Sequence, residues 1–206
     1  KIDNLNFRMG KKRLRCNHPK ETFDLCSSCI TSHFKEESVT WTSRNQEIDR
    51  FIKYTQIMSR NPETAAYWMK WEELTNIKMI GKGGLGKVYS AQLTRRISDE
   101  IPDEIVALKT VGKPNEFSNI LAEATALFHS YNKETSSFRI LGFTQDPTNE
   151  QYYIIITYAE SGNLHKYMRD NVKTLSWIDI LFIIWDICLD LERIHKAGLI
   201  HRNIHS

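Results

Sequence analysis

A glycine-rich segment is the part of the sequence best suited to binding a charged small molecule. It follows the pattern Gly-x-Gly-x-x-Gly-x-Val, with glycines at positions 81, 83 and 86. Glycine has no Cβ atom, so a backbone of this composition can approach phosphate oxygens closely. The segment therefore predicts a phosphate-binding loop, and the residues on either side indicate which kind of loop it is.

Two common phosphate-binding loops fit the flanking sequence poorly. A Walker A loop ends in Gly-Lys followed by a Ser or Thr that binds magnesium, and Val88 stands at that position here. A Walker A loop and a Rossmann loop are both followed by a helix. The β-rich run Val88–Leu93 predicts a strand instead. Neither loop type has the context that it needs.

A third context is present, because Val106-Ala107-Leu108-Lys109 supplies a lysine on a further predicted strand. Strand, glycine loop, strand and Val-Ala-x-Lys form the pattern of protein kinases. From Ile77 to Ser206 the chain resembles the first half of a eukaryotic protein kinase domain. The resemblance implies an α+β fold with a five-stranded antiparallel sheet and one helix, followed by an incomplete helical lobe.

The resemblance also implies ATP as cofactor and a set of binding residues. Lys109 would contact the α- and β-phosphates and pair with a helix glutamate, while Val88 and Ala107 would flank the adenine. The run 153–164 resembles the fifth strand and hinge, although an apolar strand ending in a glycine turn fits the spacing equally well. The implied nucleotide-binding residues are Ile80, Gly81, Lys82, Gly83, Gly84, Leu85, Gly86, Val88, Ala107, Lys109, the gatekeeper Ile156 and Tyr158.

Glu123 is the candidate partner of Lys109. It lies in a predicted helix over 115–131, with Ile120 three residues before it and Leu127 four residues after it. This spacing places all three on one helix face, so the carboxylate is predicted to point inward. Glu116 is the alternative, but in the first helical turn an acid is explained by the helix dipole.

Asn203 departs from the family pattern. In the run His201-Arg202-Asn203 it stands where kinases carry the aspartate that accepts the substrate proton. An amide is not a useful base, and a positioned base contributes about 10²–10⁴-fold to the rate. The family's magnesium ligands would follow Ser206, so we expect this chain alone to be inactive. The alternative function is a pseudokinase-like module that binds ATP or acts as a scaffold for a protein partner.

The N-terminal segment carries a cluster of potential zinc ligands. The Cys-x2-Cys spacing of Cys26 and Cys29 lets two thiolates reach one ion. A redox pair, a disulfide and ordinary loop cysteines are the alternatives. The arrangement resembles a lineage-expanded group of fungal kinase-like proteins with a cysteine-rich leader. The candidate zinc ligands are Cys16, His18, Cys26, Cys29 and His33.

Composition and charge limit the kinds of partner that this chain is expected to bind. The 206 residues carry a net charge of +3, and the basic residues concentrate in the first 20. A short basic run is usually a solvated tail, so we do not expect nucleic acid as a partner, but ATP and a protein substrate or scaffold partner. The longest apolar run, Ile180–Trp185, is too short for a membrane span. The cysteine pattern is not a secreted disulfide framework, and we expect an intracellular, cytoplasmic setting.

Spacing and composition divide the chain into four predicted regions. Residues 1–40 form the basic Cys/His-rich segment, 41–70 a helical connector, 71–158 the kinase N-lobe, and 159–206 the hinge and the truncated start of the C-lobe. The last region includes a predicted helix that begins at a Ser176–Asp179 capping box and is apolar on more than one face. Without neighbours, this helix would leave large side chains in water, and we expect it to be unstable and sticky.

Overall fold

The structure is a computed structural model, and it describes residues 32, 34–35, 41–59, 64–83, 86–94, 105–111, 117–131 and 139–200. Four helices and six strands follow one another in this part of the chain. In order they are α1 (Gln46–Met58), β1 (Tyr67–Trp68), β2 (Leu74–Gly83), β3 (Gly86–Leu93), β4 (Ile105–Thr110), α2 (Phe117–Ser130), β5 (Ile140–Gln145), β6 (Tyr152–Thr157), α3 (Leu164–Asp170) and α4 (Trp177–Lys196).

The six strands form one mixed sheet in the order β1-β5-β6-β4-β3-β2. All neighbouring strands are antiparallel except β1 and β5, which pair in parallel through Tyr67 and Trp68. The predicted α+β class is confirmed. The sheet has one strand more than the five expected, because β1 is only two residues long and shows no alternating pattern that the sequence could reveal.

Alternation along β4 separates the two faces of the sheet. Val106 and Leu108 are fully buried on one face, where they pack with Met69, Leu93 and Ile155. The side chains between them, Ala107 and Lys109, point to the opposite face, as the two-residue period of a strand requires. That second face is covered by α1 and α2.

Helix α1 begins at Asn45, whose side chain accepts hydrogen bonds from the backbone N–H groups of Glu47 and Ile48. This N-cap satisfies two donors that the first turn would otherwise leave unpaired. The helix buries Ile48, Phe51, Ile52 and Thr55 against the second sheet face, whereas Met58 at its end is half exposed.

Helix α4 begins with the predicted capping box, in which Ser176 and Asp179 each bond to the other's backbone N–H. It ends before Gly198, which has a φ of +74° and lets the chain turn in the left-handed region. Ile194 is its buried residue. None of the helices in the described ranges combines the length and apolarity that a membrane span requires. The large apolar side chains of α4 that remain exposed are Trp177, Ile178, Leu181, Phe182, Ile184, Trp185 and Ile187.

Candidate functional site

Lys109 occupies the middle of the sheet. Its strand, β4, lies between β3 and β6, and Lys109 pairs in register with Val88 on one side and Ile154 on the other. The strand alternation directs its side chain toward the face that α2 covers. That side chain is only 17% exposed, so the ammonium group is largely withdrawn from solvent.

Glu123 meets this ammonium group from helix α2. The Lys109 Nζ atom donates to both carboxylate oxygens of Glu123, at 2.5 Å to Oε1 and 2.7 Å to Oε2. The neighbouring Ala124 is fully buried and Ile120 is partly buried in the same core, so α2 is fixed against the sheet on the side next to Glu123. The Glu123 side chain is 40% exposed, which leaves this end of the ion pair accessible from solvent.

The glycine segment forms a hairpin between β2 and β3 that is attached beside Lys109. Gly83 pairs with Gly86 at its described tip. Gly86 has a φ of +119°, and a Cβ atom there would lie 2.5 Å from the Thr110 hydroxyl oxygen. The backbone N–H of Lys87 donates to the same hydroxyl at 2.9 Å. The hairpin is therefore held near its described tip by Thr110, the residue that directly follows Lys109.

Thr110 was not among the predicted site residues. A hydroxyl-bearing residue next to the strand lysine was the available sequence signal, but its contact crosses from the end of β4 to the hairpin. Gly81 lies farther along the hairpin, where a Cβ atom would meet no other atom within 4 Å. The space around Gly81 is therefore open.

The predicted adenine-contacting residues share the sheet face of Lys109. Ala107 pairs in register with Ile156 of β6, and Val88 pairs with Lys109, so these side chains lie on one surface. Ala107 is buried, Val88, Ile156 and Tyr158 are partly buried, and Ile80 is half exposed. Lys82 is exposed on the hairpin. The structure thus places an apolar surface beside a cation.

The remaining candidates lie outside the described residues. These are Gly84 and Leu85 of the glycine-rich sequence, Glu116, Asn203, and the five predicted zinc ligands Cys16, His18, Cys26, Cys29 and His33. Within the described part of the chain, no group of three or more His, Cys, Asp or Glu side chains could hold a metal ion. Their roles stay predictions from the sequence.

The arrangement is suited to binding an anion next to an apolar ring. Glu123 fixes the position of the Lys109 ammonium group, which is oriented toward the same face as the apolar residues. A glycine hairpin can offer backbone N–H groups to phosphate oxygens without side-chain interference. A phosphate-bearing nucleotide fits this combination of donors and apolar surface.

Comparison with known proteins places the same segment in a family. Residues 74–206 match the family profile described as protein tyrosine and serine/threonine kinase. The match begins at the first residue of β2, so α1 and β1 lie outside it. It covers more than half of the chain.

Individual relatives agree with this match. The chain is 30% identical over 144 residues to the probable serine/threonine-protein kinase roco6 of Dictyostelium discoideum, which is 65% of this chain and 6% of that protein. It is 29% identical over 142 residues to the tyrosine-protein kinase transforming protein ros of UR2 avian sarcoma virus, at 65% of this chain and 34% of that protein. It is 28% identical over 150 residues to the human tyrosine-protein kinase TXK, at 69% of this chain and 26% of that protein. The chain spans about a third or less of the length of these relatives.

Proposed function

Because this chain belongs to the protein tyrosine and serine/threonine kinase family, we propose that residues 71–206 bind ATP and belong to a protein that phosphorylates protein hydroxyl groups. In this proposal residues 71–158 form the nucleotide-binding N-lobe, and residues 159–206 form the hinge and the start of the C-lobe. The observation that carries the proposal is the bidentate contact between Lys109 and Glu123 beneath the glycine hairpin.

Each part of the site has a role in holding the nucleotide. Lys109 donates from Nζ to the α- and β-phosphate oxygens, and Glu123 holds that ammonium group in place. The hairpin that contains Gly81, Gly83 and Gly86 covers the phosphates, since glycine allows close backbone approach. Ala107 and Val88 contact the adenine, and the backbone beside Ile156 and Tyr158 binds its polar edge.

ATP supplies the γ-phosphoryl group for transfer, and magnesium is the metal that the family uses with it. The residues of this chain described above hold and orient the nucleotide, and they contribute positioning and charge stabilisation, which supply most of the catalysis in phosphoryl transfer. Asn203 stands in the sequence where a base would accept the substrate proton. We therefore propose that the family activity is strongly reduced in this chain.

A titration with a fluorescent ATP analogue, mant-ATP, tests the nucleotide site. Lys109→Ala removes the phosphate-binding cation, and the apparent Kd is expected to rise by about 10- to 100-fold, the size of a lost charge-assisted hydrogen bond. Lys196→Ala is the matched control, because Lys196 pairs with Glu192 at 2.9 Å on the exposed surface of α4. Equal binding by wild type and Lys109→Ala, or no binding at millimolar nucleotide, would refute the proposal.

Asn203 favours a second candidate function, a pseudokinase-like module that binds ATP as part of a scaffold. The change Asn203→Asp separates the two when it is made in a chain that also carries the family's magnesium ligands. If the protein is a kinase that lacks only its base, phosphoryl transfer from radiolabelled ATP to a generic protein substrate should rise by about 10²–10⁴-fold. ATP binding without any gain in transfer would favour the scaffold function.

A further inference from the structure

Helix α1 lies outside the segment that matches the kinase family, yet it packs on the helix that carries Glu123. The family match begins at residue 74, and α1 covers Gln46–Met58. Its buried Ile48, Phe51 and Ile52 belong to the same core as Ala124, the residue next to Glu123. A segment outside the family match therefore supports one half of the candidate ATP site.

Two side chains connect the far ends of the helices. The Tyr54 hydroxyl of α1 and the His129 Nε2 atom of α2 are 3.0 Å apart and form a hydrogen bond. The Tyr54 ring also contacts Phe128 edge-on, with ring centroids 6.1 Å apart. This contact lies about one and a half turns of α2 beyond Glu123, so it restrains the axial position and the rotation of the helix.

Helix α1 also contacts the sheet, so it can act as a fixed support for α2. Phe51 packs edge-on against Phe143 of β5 at a centroid distance of 5.6 Å. The Tyr152 hydroxyl at the start of β6 donates to the backbone oxygen of Ser43 at 2.8 Å. The Thr55 hydroxyl oxygen accepts from the backbone N–H of Ala66, just before β1, at 3.0 Å. Helix α1 thus joins the sheet, which carries Lys109, to α2, which carries Glu123.

We propose that Tyr54 and His129 are a positioning pair that holds α2 at the depth where Glu123 reaches Lys109. The Lys109–Glu123 contact joins two elements that are separated in the chain, so its geometry depends on how α2 sits on the sheet. Part of that placement comes from α1 and its Tyr54 contacts. The consequence for ATP rests on the proposed function, whereas the effect on α2 does not.

Hydrogen–deuterium exchange on the 206-residue chain tests the effect on α2. Tyr54→Ala removes the hydrogen bond and the ring contact, and exchange in the α2 amides should accelerate by about two- to tenfold, the range for one lost hydrogen bond. Tyr54→Phe keeps the ring and should give a smaller acceleration. Amides in β4 and β6 should be unchanged, which separates loss of the support from general unfolding. Ile57→Ala is the matched control, since Ile57 lies on the same helix and is 82% exposed.

A double-mutant cycle with mant-ATP tests whether the effect passes through Glu123. Tyr54→Ala should weaken binding by about two- to tenfold in the wild-type background, but not in a Glu123→Gln background, where the ion pair is already lost. Equal loss in both backgrounds, or unchanged α2 exchange in Tyr54→Ala, would overturn the positioning role. If wild type binds no nucleotide while α2 exchange still responds to Tyr54→Ala, the ATP-binding proposal fails and the support of α2 by α1 stands.

Discussion

We define the sheet lobe as α1, the six strands and α2. Large apolar side chains are buried in the sheet lobe but exposed along helix α4. Phe143 of β5 is fully buried between α1 and the sheet, whereas Phe182 of α4 is 64% exposed. Both regions have apolar stripes that the sequence shows clearly. The difference teaches that a pattern marks the face that should be covered, while a second element must be present to cover it.

Different interactions stabilise the two regions as a result. In the sheet lobe, residues far apart in the chain form two cores on opposite faces of the sheet. Helix α4 contacts α2, but its described hydrogen bonds and ion pairs are local: the capping box at Ser176, the Arg193–Asp190 pair at 2.7 Å and the Lys196–Glu192 pair at 2.9 Å. The Lys196–Glu192 pair is exposed and contributes little, and the Arg193–Asp190 pair is only partly buried. We therefore expect the sheet lobe to unfold cooperatively and α4 to fray independently.

The largest expected difference in stability comes from replacing one phenylalanine by alanine in each region. Phe143→Ala leaves a cavity in the sheet core and should lower the free energy of unfolding by about 3–5 kcal/mol. Phe182→Ala removes a side chain that is mostly in water and should change it by about 0.5 kcal/mol or less. Urea denaturation followed by tryptophan fluorescence measures both. Similar losses for the two variants would mean that α4 is covered as well as the sheet is.

A smaller effect is expected from two glycines that are required for different reasons. A Cβ atom at Gly142 would lie 1.9 Å from the backbone oxygen of Tyr67, so Gly142→Ala must push β1 away from β5, at a cost of about 1–3 kcal/mol. At Gly198 a Cβ atom would meet nothing within 4 Å, and the φ of +74° is the obstacle. Gly198→Ala should cost about 1–2 kcal/mol, measured as fraying of α4 by hydrogen exchange.

Substitution by asparagine distinguishes the steric clash at Gly142 from the left-handed backbone conformation at Gly198. Asparagine tolerates the left-handed region, so Gly198→Asn should keep most of the stability of the α4 terminus. Gly142→Asn has the same clash as Gly142→Ala and should be at least as damaging. Rescue at position 142 would contradict the close approach of β1 and β5.

The smallest expected effects on stability are those of pH. Acid should destabilise the start of α4, and alkaline pH should destabilise the sheet lobe. Hydrogen bonds from Ser176 lower the pKa of Asp179 in α4. A lowered folded-state pKa gives stability that is present above the unfolded pKa and lost as the pH falls through the folded value. The start of α4 should therefore fray in acid, and Ser176→Ala should shift that fraying to higher pH.

Burial raises the pKa of Tyr152 and Tyr153 in β6. The folded state then favours the protonated phenol, so the sheet lobe should lose stability as the pH rises above about 10, the ordinary tyrosine value. Ultraviolet absorbance of the phenolate measures the tyrosine titration at alkaline pH.

Circular dichroism measures the loss of the α4 helix in acid. Acid fraying of α4 that is the same in wild type and Ser176→Ala would remove the role of the capping box.

Much of the fold followed from local patterns. The predicted strand Val88–Leu93 lies within β3, and the α4 capping box is present as expected. The contact between Lys109 and Glu123, expected from a strand lysine and an inward-facing helix position, is present in the structure. Each prediction rested on residue types within a few positions of one another, although the Lys109–Glu123 contact itself joins residues 14 positions apart.

Other features had no sequence signal, because they depend on contacts between distant segments. The two-residue alternation of side chains along a strand cannot show that Thr110 holds the glycine hairpin at Gly86 and Lys87. The sequence of the helical connector did not show that α1 packs against the helix of Glu123. The two-residue strand β1 depends on the close approach of Tyr67 to Gly142.

The sequence by itself determined the glycine hairpin, the strand lysine, the helix glutamate and the membership of the kinase superfamily that they indicate, since short-range spacing encodes each of these. The tertiary structure decided which apolar faces are covered, how deep α2 sits on the sheet, and therefore where the ammonium and carboxylate groups meet. The physical reason is that burial and ion-pair geometry depend on the distance between elements, which local periodicity does not specify.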